Sequence, residues 1–125
     1  MTVSTNPCGE IPLCPYDSCR LLALNLLSYV DNPFKKDAKF NFDKFRSHVA
    51  MAMRMMDDII DLELEKVEQI IEKIAADPED EDVRRVELEL WKKILGMAQK
   101  GRRTGLGITA EGDMLAALGL VYGSE

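Results

Sequence analysis

Residues 42–76 read FDKFRSHVAMAMRMMDDIIDLELEKVEQIIEKIAA, and their spacing decides the fold class. Apolar positions Phe45, Val49, Met53, Met56, Ile60, Leu64, Val67, Ile71 and Ile74 recur at three- and four-residue steps. Side chains at those steps share one stripe of an α-helix, so the pattern predicts a long amphipathic helix. Unbroken, it spans about 50 Å, a length that invites a bend near Asp61 to Glu65. The seven methionines go mostly to the core, with Met53 and Met56 on the stripe. His48 lies one residue off it and reads as a surface or boundary side chain.

On the C-terminal side, Asp77 as N-cap and Pro78 at the first helical position predict a second helix over 78–100. It carries Val83, Val86, Leu90, Ile94 and Met97 on one face and stops at Gly101. The tail, 101–125, is turn-rich through Gly105, Gly107, Gly112, Gly119 and Gly123, with a short helix from Ala110 to Leu118 capped by Thr109. On the N-terminal side, residues 1–18 read as an irregular loop, because Pro12 and Pro15 bar a continuous helix or central strand. Residues 19–30 contain Leu21-Leu22-Ala23-Leu24, which suits a buried strand or a short helix equally, and Asp31-Asn32-Pro33 ends the segment in a turn. No internal repeat or linker divides the chain. The simplest packing is a mainly α single domain, a helical hairpin with a loop at each end.

At 125 residues and 46% hydrophobic, the chain is long enough for a modest core. A net charge of -6 argues against a nucleic acid polymer as partner, which needs clustered Lys and Arg. No apolar run approaches the roughly 18–20 residues of a membrane span, and the start of the chain lacks the basic and apolar regions of a signal peptide, so a cytoplasmic location is expected. The three cysteines, Cys8, Cys14 and Cys19, are too few and too close for a disulfide framework. Their spacing is not that of a zinc or iron–sulfur site and His48 is remote, so no metal site is assigned.

The chemistry concentrates at Asn6-Pro7-Cys8-Gly9-Glu10. If this stretch is extended, the amide of Asn6, the thiol of Cys8 and the carboxylate of Glu10 project from one face. At these residues the sequence resembles ribonucleotide reductase, whose active-site loop has the pattern Asn-x-Cys-x-Glu. The form Asn-Pro-Cys-Gly-Glu-Ile-Pro-Leu, residues 6 to 13, looks most like the adenosylcobalamin-dependent class. Cys19, followed by Asn25-Leu26, also resembles the family, as do Met55-Met56-Asp57-Asp58-Ile59-Ile60-Asp61-Leu62 and Gly101-Arg102-Arg103-Thr104-Gly105-Leu106-Gly107-Ile108, in the family's order. A complete enzyme of this family is several times longer. The resemblance therefore implies an internal piece of a ten-stranded α/β barrel reductase, carrying catalytic residues but inactive as an isolated chain.

The resemblance further implies roles. Cys8 corresponds to the cysteine whose thiyl radical takes the 3′ hydrogen of a ribonucleotide, Glu10 to the base for the 3′ hydroxyl proton, and Asn6 to the amide that binds and orients the sugar hydroxyls. Cys19 corresponds to one member of the reducing cysteine pair, whose other member lies outside this chain; Cys14 matches nothing in the pattern. Adenosylcobalamin is the implied radical source, and its binding residues are not identifiable here.

Two other readings compete. Asp57-Asp58-Ile59-Ile60-Asp61 places Asp57 or Asp58 and Asp61 on one helix face, a set of hard oxygen ligands suited to magnesium and a diphosphate. The bland alternative is a solvated acidic face. A non-catalytic helical module that self-associates as a homodimer, or docks on other reductase segments, is the second competitor. Gly101-Arg102-Arg103-Thr104-Gly105 lacks the strand and the Lys-Ser or Lys-Thr ending of a phosphate loop, and reads as a helix C-terminus whose dipole favours two arginines.

Overall fold

The computed structural model describes residues 2–124. Met1, in the expected 1–18 loop, and Glu125, at the end of the tail, lie outside the described residues. Ten elements follow in order among the described residues: β1 (Ser4–Thr5), β2 (Pro12–Leu13), β3 (Arg20–Asn25), a 3₁₀ turn (Leu26–Tyr29), β4 (Val30–Asp31), β5 (Lys39–Phe40), α1 (Phe42–Ala76), α2 (Glu81–Gly101), β6 (Thr104–Thr109) and α3 (Glu111–Leu118). The fold is mainly helical. Its strands form three two-stranded sheets, β1 with β2, β3 with β6 and β4 with β5, and no closed barrel is formed among the described residues.

The single domain expected from the sequence resolves into two compact units. The first holds the described residues up to Arg20 together with Met56–Gly105. Here the second half of α1 and all of α2 form an antiparallel hairpin. Arg84 in the first turn of α2 donates to the Asp77 carbonyl at 3.2 Å, and Arg102 at the far end of α2 reaches back to Asp57 and Asp61. Met56, Ile60, Val67 and Ile74 of α1 and Ala98 of α2 are buried in this unit. β1 pairs antiparallel with β2, Ser4 opposite Leu13 and Thr5 opposite Pro12.

The second unit holds Leu21–Met55 and the described residues from Leu106 onward. Leu26, Tyr29, Val30, Ala52 and Ala117 are buried there. Tyr29 meets Phe45 edge-on at 5.1 Å between ring centroids, and Phe40 meets Phe42 at 4.9 Å and Phe45 at 5.5 Å, the tilted geometry that aromatic quadrupoles favour. His48 is exposed and shares a 3.3 Å hydrogen bond between Nδ1 and the Tyr29 hydroxyl.

α1 runs unbroken through Asp61–Glu65. Its buried line passes through Ala52 rather than Met53, which is 48% exposed, and Met51 and Met55 are exposed as well. The methionine content of this helix is therefore largely outside the core. On α2 the covered side runs through Leu88, Trp91, Leu95 and Ala98, whereas Val83, Val86 and Leu90 stay exposed. Ile94 and Met97 are half-buried as the stripe read from sequence requires, so that stripe departs from the packed side only over the first half of α2.

Helix ends also shift for physical reasons. The N-cap of α2 is Asp80, whose Oδ1 accepts from the Asp82 amide at 2.9 Å, so the helix starts at Glu81 rather than Pro78. Glu81 and Asp82 then occupy the first turn, where the helix dipole favours carboxylates, and Asp77 instead closes α1 by donating its N–H to the Ile74 carbonyl at 3.2 Å. Residues 104–109, expected as turns, form β6 against β3; Thr104, Ile108 and Thr109 are β-branched, and hydrogen bonding along the ladder overrides Gly105 and Gly107. Because Thr109 ends that strand, α3 begins after Ala110, a left-handed residue without a side-chain cap.

Candidate active site

The Asn6–Glu10 stretch is a turn, not an extended strand. Gly9 adopts φ +79° and donates its N–H to the Asn6 carbonyl at 2.9 Å. That left-handed conformation is accessible to glycine at no steric cost, and it ends the alternation on which a shared face for residues 6, 8 and 10 depends. Asn6 and Ile11 close the turn from both sides. The Asn6 N–H donates to the Ile11 carbonyl at 3.1 Å, and the Ile11 N–H donates to Asn6 Oδ1 at 2.9 Å. Asn6 is buried at 9% exposure, while Cys8 and Glu10 are exposed at the tip. The hairpin thus presents a thiol and a carboxylate to solvent from a turn braced by an internal amide.

Cys19 precedes β3, half-buried, with its Sγ 3.6 Å from the Arg20 carbonyl. Burial pushes this thiol above its ordinary value; Arg20 pulls it down, and Glu10 and Asp17 push it further up. The Glu10 carboxylate is therefore near enough to act on the Cys19 thiol, which brings together two of the four residues singled out in the sequence. Cys8, Cys14 and Cys19 are all thiols.

Two ion-pair systems brace this region. Arg20 closes on Glu63 of α1, its Nε and a terminal nitrogen facing the two carboxylate oxygens. Arg103 closes its Nε on Asp17, whose side chain is 1% exposed, and donates to Cys14 Sγ at 3.5 Å. Asp17 also accepts from the Ser18 and Cys14 amides at 3.0 and 3.4 Å. Neither Asp17 nor Arg103 was legible as a site residue. The available signal was Asp17 in Pro15-Tyr16-Asp17-Ser18, a residue type whose carboxylate binds nearby amides in turns.

The Asp57-Asp58-x-x-Asp61 reading meets a direct obstacle. Asp57 and Asp61 do share a face of α1, but the cation between them is Arg102, which donates to Asp57 Oδ1 at 2.6 Å and to Asp61 Oδ1 at 2.7 Å. A guanidinium occupies the place that magnesium would need. Among the described residues no cluster of three or more His, Cys, Asp or Glu side chains is arranged to hold a metal ion. No described helix is long and apolar enough to cross a membrane.

Comparison with known proteins agrees along the whole chain. The family model for the ribonucleotide reductase barrel domain matches residues 1–125. A vitamin B12-dependent ribonucleoside-diphosphate reductase of Thermoplasma acidophilum is 38% identical over 121 residues, covering 97% of this chain and 12% of that protein. A protein of the same description from Mycobacterium tuberculosis is 30% identical over 122 residues, covering 98% of this chain and 13% of its own length. The chain thus spans a small part of the relatives it matches. No solved structure matches it significantly. With its full length matched by the barrel-domain model, the chain belongs to the ribonucleotide reductase family.

Proposed function

We propose that this chain is the radical-cysteine segment of a vitamin B12-dependent ribonucleotide reductase, acting within a longer polypeptide. The observation that carries the reading is the braced turn that exposes Cys8 and Glu10 together, with Cys19 within electrostatic reach of Glu10. The names of the relatives favour a ribonucleoside diphosphate as substrate and a vitamin B12-dependent reductase as the whole enzyme; a cytoplasmic oxidoreductase of deoxyribonucleotide synthesis is the setting we propose for it.

In this reading the Cys8 thiyl takes the hydrogen atom from C3′ of the ribose and returns it at the end of turnover. Glu10 accepts the 3′ hydroxyl proton, which requires only hydrogen-bond reach and a carboxylate in its ionised form. Asn6 holds the turn with its Oδ1, leaving its amide N–H groups to orient a sugar hydroxyl. The 2′ hydroxyl leaves as water while Cys19 and a cysteine outside this segment give up two electrons and become a disulfide. Adenosylcobalamin supplies radical chemistry when bound to the whole enzyme. Cys8 stands on an exposed turn, and the described residues around it enclose no corrin-sized site.

β3 and β6 fit this reading as two strands of the larger α/β barrel, and exposed Val83, Val86 and Leu90 as surface on which other reductase segments dock. The test is turnover of the complete native polypeptide. Cys8→Ala and Glu10→Ala abolish deoxyribonucleotide formation, whereas Cys14→Ala retains single-turnover reduction; near-normal turnover in the Cys8 variant sinks the assignment.

A further inference from the structure

Cys14 is the thiol that the proposed reaction leaves without a role, yet its surroundings are specific. Its sulfur accepts from Arg103 at 3.5 Å, and its N–H donates to Asp17 Oδ2 at 3.4 Å. The Asp17 N–H returns to the Cys14 carbonyl at 3.2 Å, so residues 14–17 form a closed turn around the Asp17–Arg103 ion pair. Arg103 also receives the Arg20 N–H on its own carbonyl at 3.5 Å, and Cys19 Sγ sits on the carbonyl of that same Arg20. Cys14 thus meets the guanidinium end of Arg103, and Cys19 lies beside its backbone.

Such an arrangement differentiates the two thiols. The Arg103 guanidinium donates to the Cys14 sulfur, whereas the Cys19 sulfur faces a backbone carbonyl. Cys19 is half-buried, and that burial pushes its thiol up. Only four residues separate them, so the entropy of bringing the sulfurs together is small. Between them Pro15, Tyr16 and Ser18 are exposed, and Asp17 is held by Arg103, so joining the two sulfurs requires the 15–18 turn to adjust about that ion pair.

We propose that Cys14 and Cys19 form a dithiol–disulfide couple that exchanges with low-molecular-weight disulfides. The Cys14 thiolate attacks one sulfur of the incoming disulfide, forming a mixed disulfide and releasing the first small thiolate. Cys19, giving its proton to solvent, then attacks Cys14 Sγ; the Cys14–Cys19 bond forms and the second small thiolate leaves. Two protein thiols lose two electrons and two protons, and one small disulfide becomes two thiols. Where the proposed reductase function holds, the couple is a redox switch, because Cys19 bonded to Cys14 is withdrawn from the reducing pair while Cys8 is untouched.

The test is equilibration of the native polypeptide in glutathione redox buffers, followed by acid quench, alkylation and chymotryptic digestion. Cleavage after Leu13 and Tyr16 puts Cys8, Cys14 and Cys19 on separate peptides, joined only by a disulfide. The expected result is a Cys14–Cys19 linked peptide that appears with one midpoint, persists in Cys8→Ser, vanishes in Cys14→Ser, and forms several-fold more slowly in Arg103→Gln. Glutathione adducts on Cys14 without the linked peptide, or a link to Cys8 instead, overturn the proposal. No ribonucleotide is present in this assay, so a linked peptide in a protein without reductase activity refutes the function and leaves the couple standing, while active enzyme without the linked peptide does the reverse.

Discussion

Arg102 and Asp57 lie 45 residues apart in sequence and are joined by two guanidinium contacts to one carboxylate oxygen, at 2.6 and 2.9 Å. Arg102 is also the left-handed residue that ends α2, with φ 40° and its N–H on the Ala98 carbonyl at 3.0 Å. A non-glycine residue in that conformation is strained by its Cβ. The bonds to Asp57 and Asp61 offset the strain and fix the open end of the hairpin.

That relationship separates two substitutions that a simple ion-pair argument would treat alike. Arg102→Ala loses the contacts and keeps the strain, whereas Arg102→Gly loses the contacts and relieves it. Thermal melting should place Arg102→Ala a few degrees below Arg102→Gly, with the glycine variant close to the parent. Added salt should narrow the gap between the parent and Arg102→Ala, because exposed pairs are screened. Equal melting of the two variants would show that the left-handed cap carries no strain.

Asn6 serves the loop before it serves any substrate. Replacing it with alanine leaves the Ile11 N–H without its acceptor and costs about 1–3 kcal/mol. Amide hydrogen exchange at Ile11 reads this directly: it accelerates in Asn6→Ala and stays slow in Asn6→Asp, which keeps an oxygen in place. In the complete enzyme, loss of reduction in Asn6→Asp despite a protected Ile11 amide would separate substrate orientation from loop bracing.

The raised pKa of Cys19 has a definite consequence for stability against pH. The folded chain holds this proton more tightly than the unfolded one, whose thiol titrates near its ordinary value of 9.0. Stability from the neutral thiol is fully present below that value and is lost as pH rises through the folded pKa. The stability difference between the parent and Cys19→Ser should therefore be flat below pH 9.0 and turn against the parent above it. A difference that is constant across the alkaline range would show that Cys19 titrates alike folded and unfolded.

How much was legible depends on the range of the interaction. The period of residues 42–76 is local, and α1 could be read because a long stripe averages over single exceptions such as Met53. The start of α2 was a competition between Asp77 and Asp80, each followed by two carboxylates, and the cap goes to Asp80, whose Oδ1 accepts from the Asp82 amide while the Asp77 N–H closes α1. β6 was hidden because a strand with two glycines forms only when β3 is there to pair with it. The Asp17–Arg103 and Asp57–Arg102 pairs bridge 86 and 45 residues, and no local spacing encodes them. Asn6, Cys8 and Glu10 could be singled out as candidates for the opposite reason, since they lie within five residues of one another; what the sequence did not reveal was that Gly9 folds that stretch into a turn back on Asn6.

Ile60 and Leu62 offer a test of the packed stripe of α1. Ile60 is 0% exposed and Leu62 61% exposed, although both are large aliphatic residues two positions apart. Ile60→Ala removes buried methyl groups and leaves a cavity, a loss of about 2–5 kcal/mol. Leu62→Ala sits on the uncovered side and should shift stability within about 0.5 kcal/mol. Urea unfolding of the purified chain measures both, with the midpoint moving in the first case and not in the second. Comparable losses would mean that a second copy covers Leu62 in solution, and dilution would then restore the difference, because contacts between copies weaken with concentration while the packing of Ile60 does not.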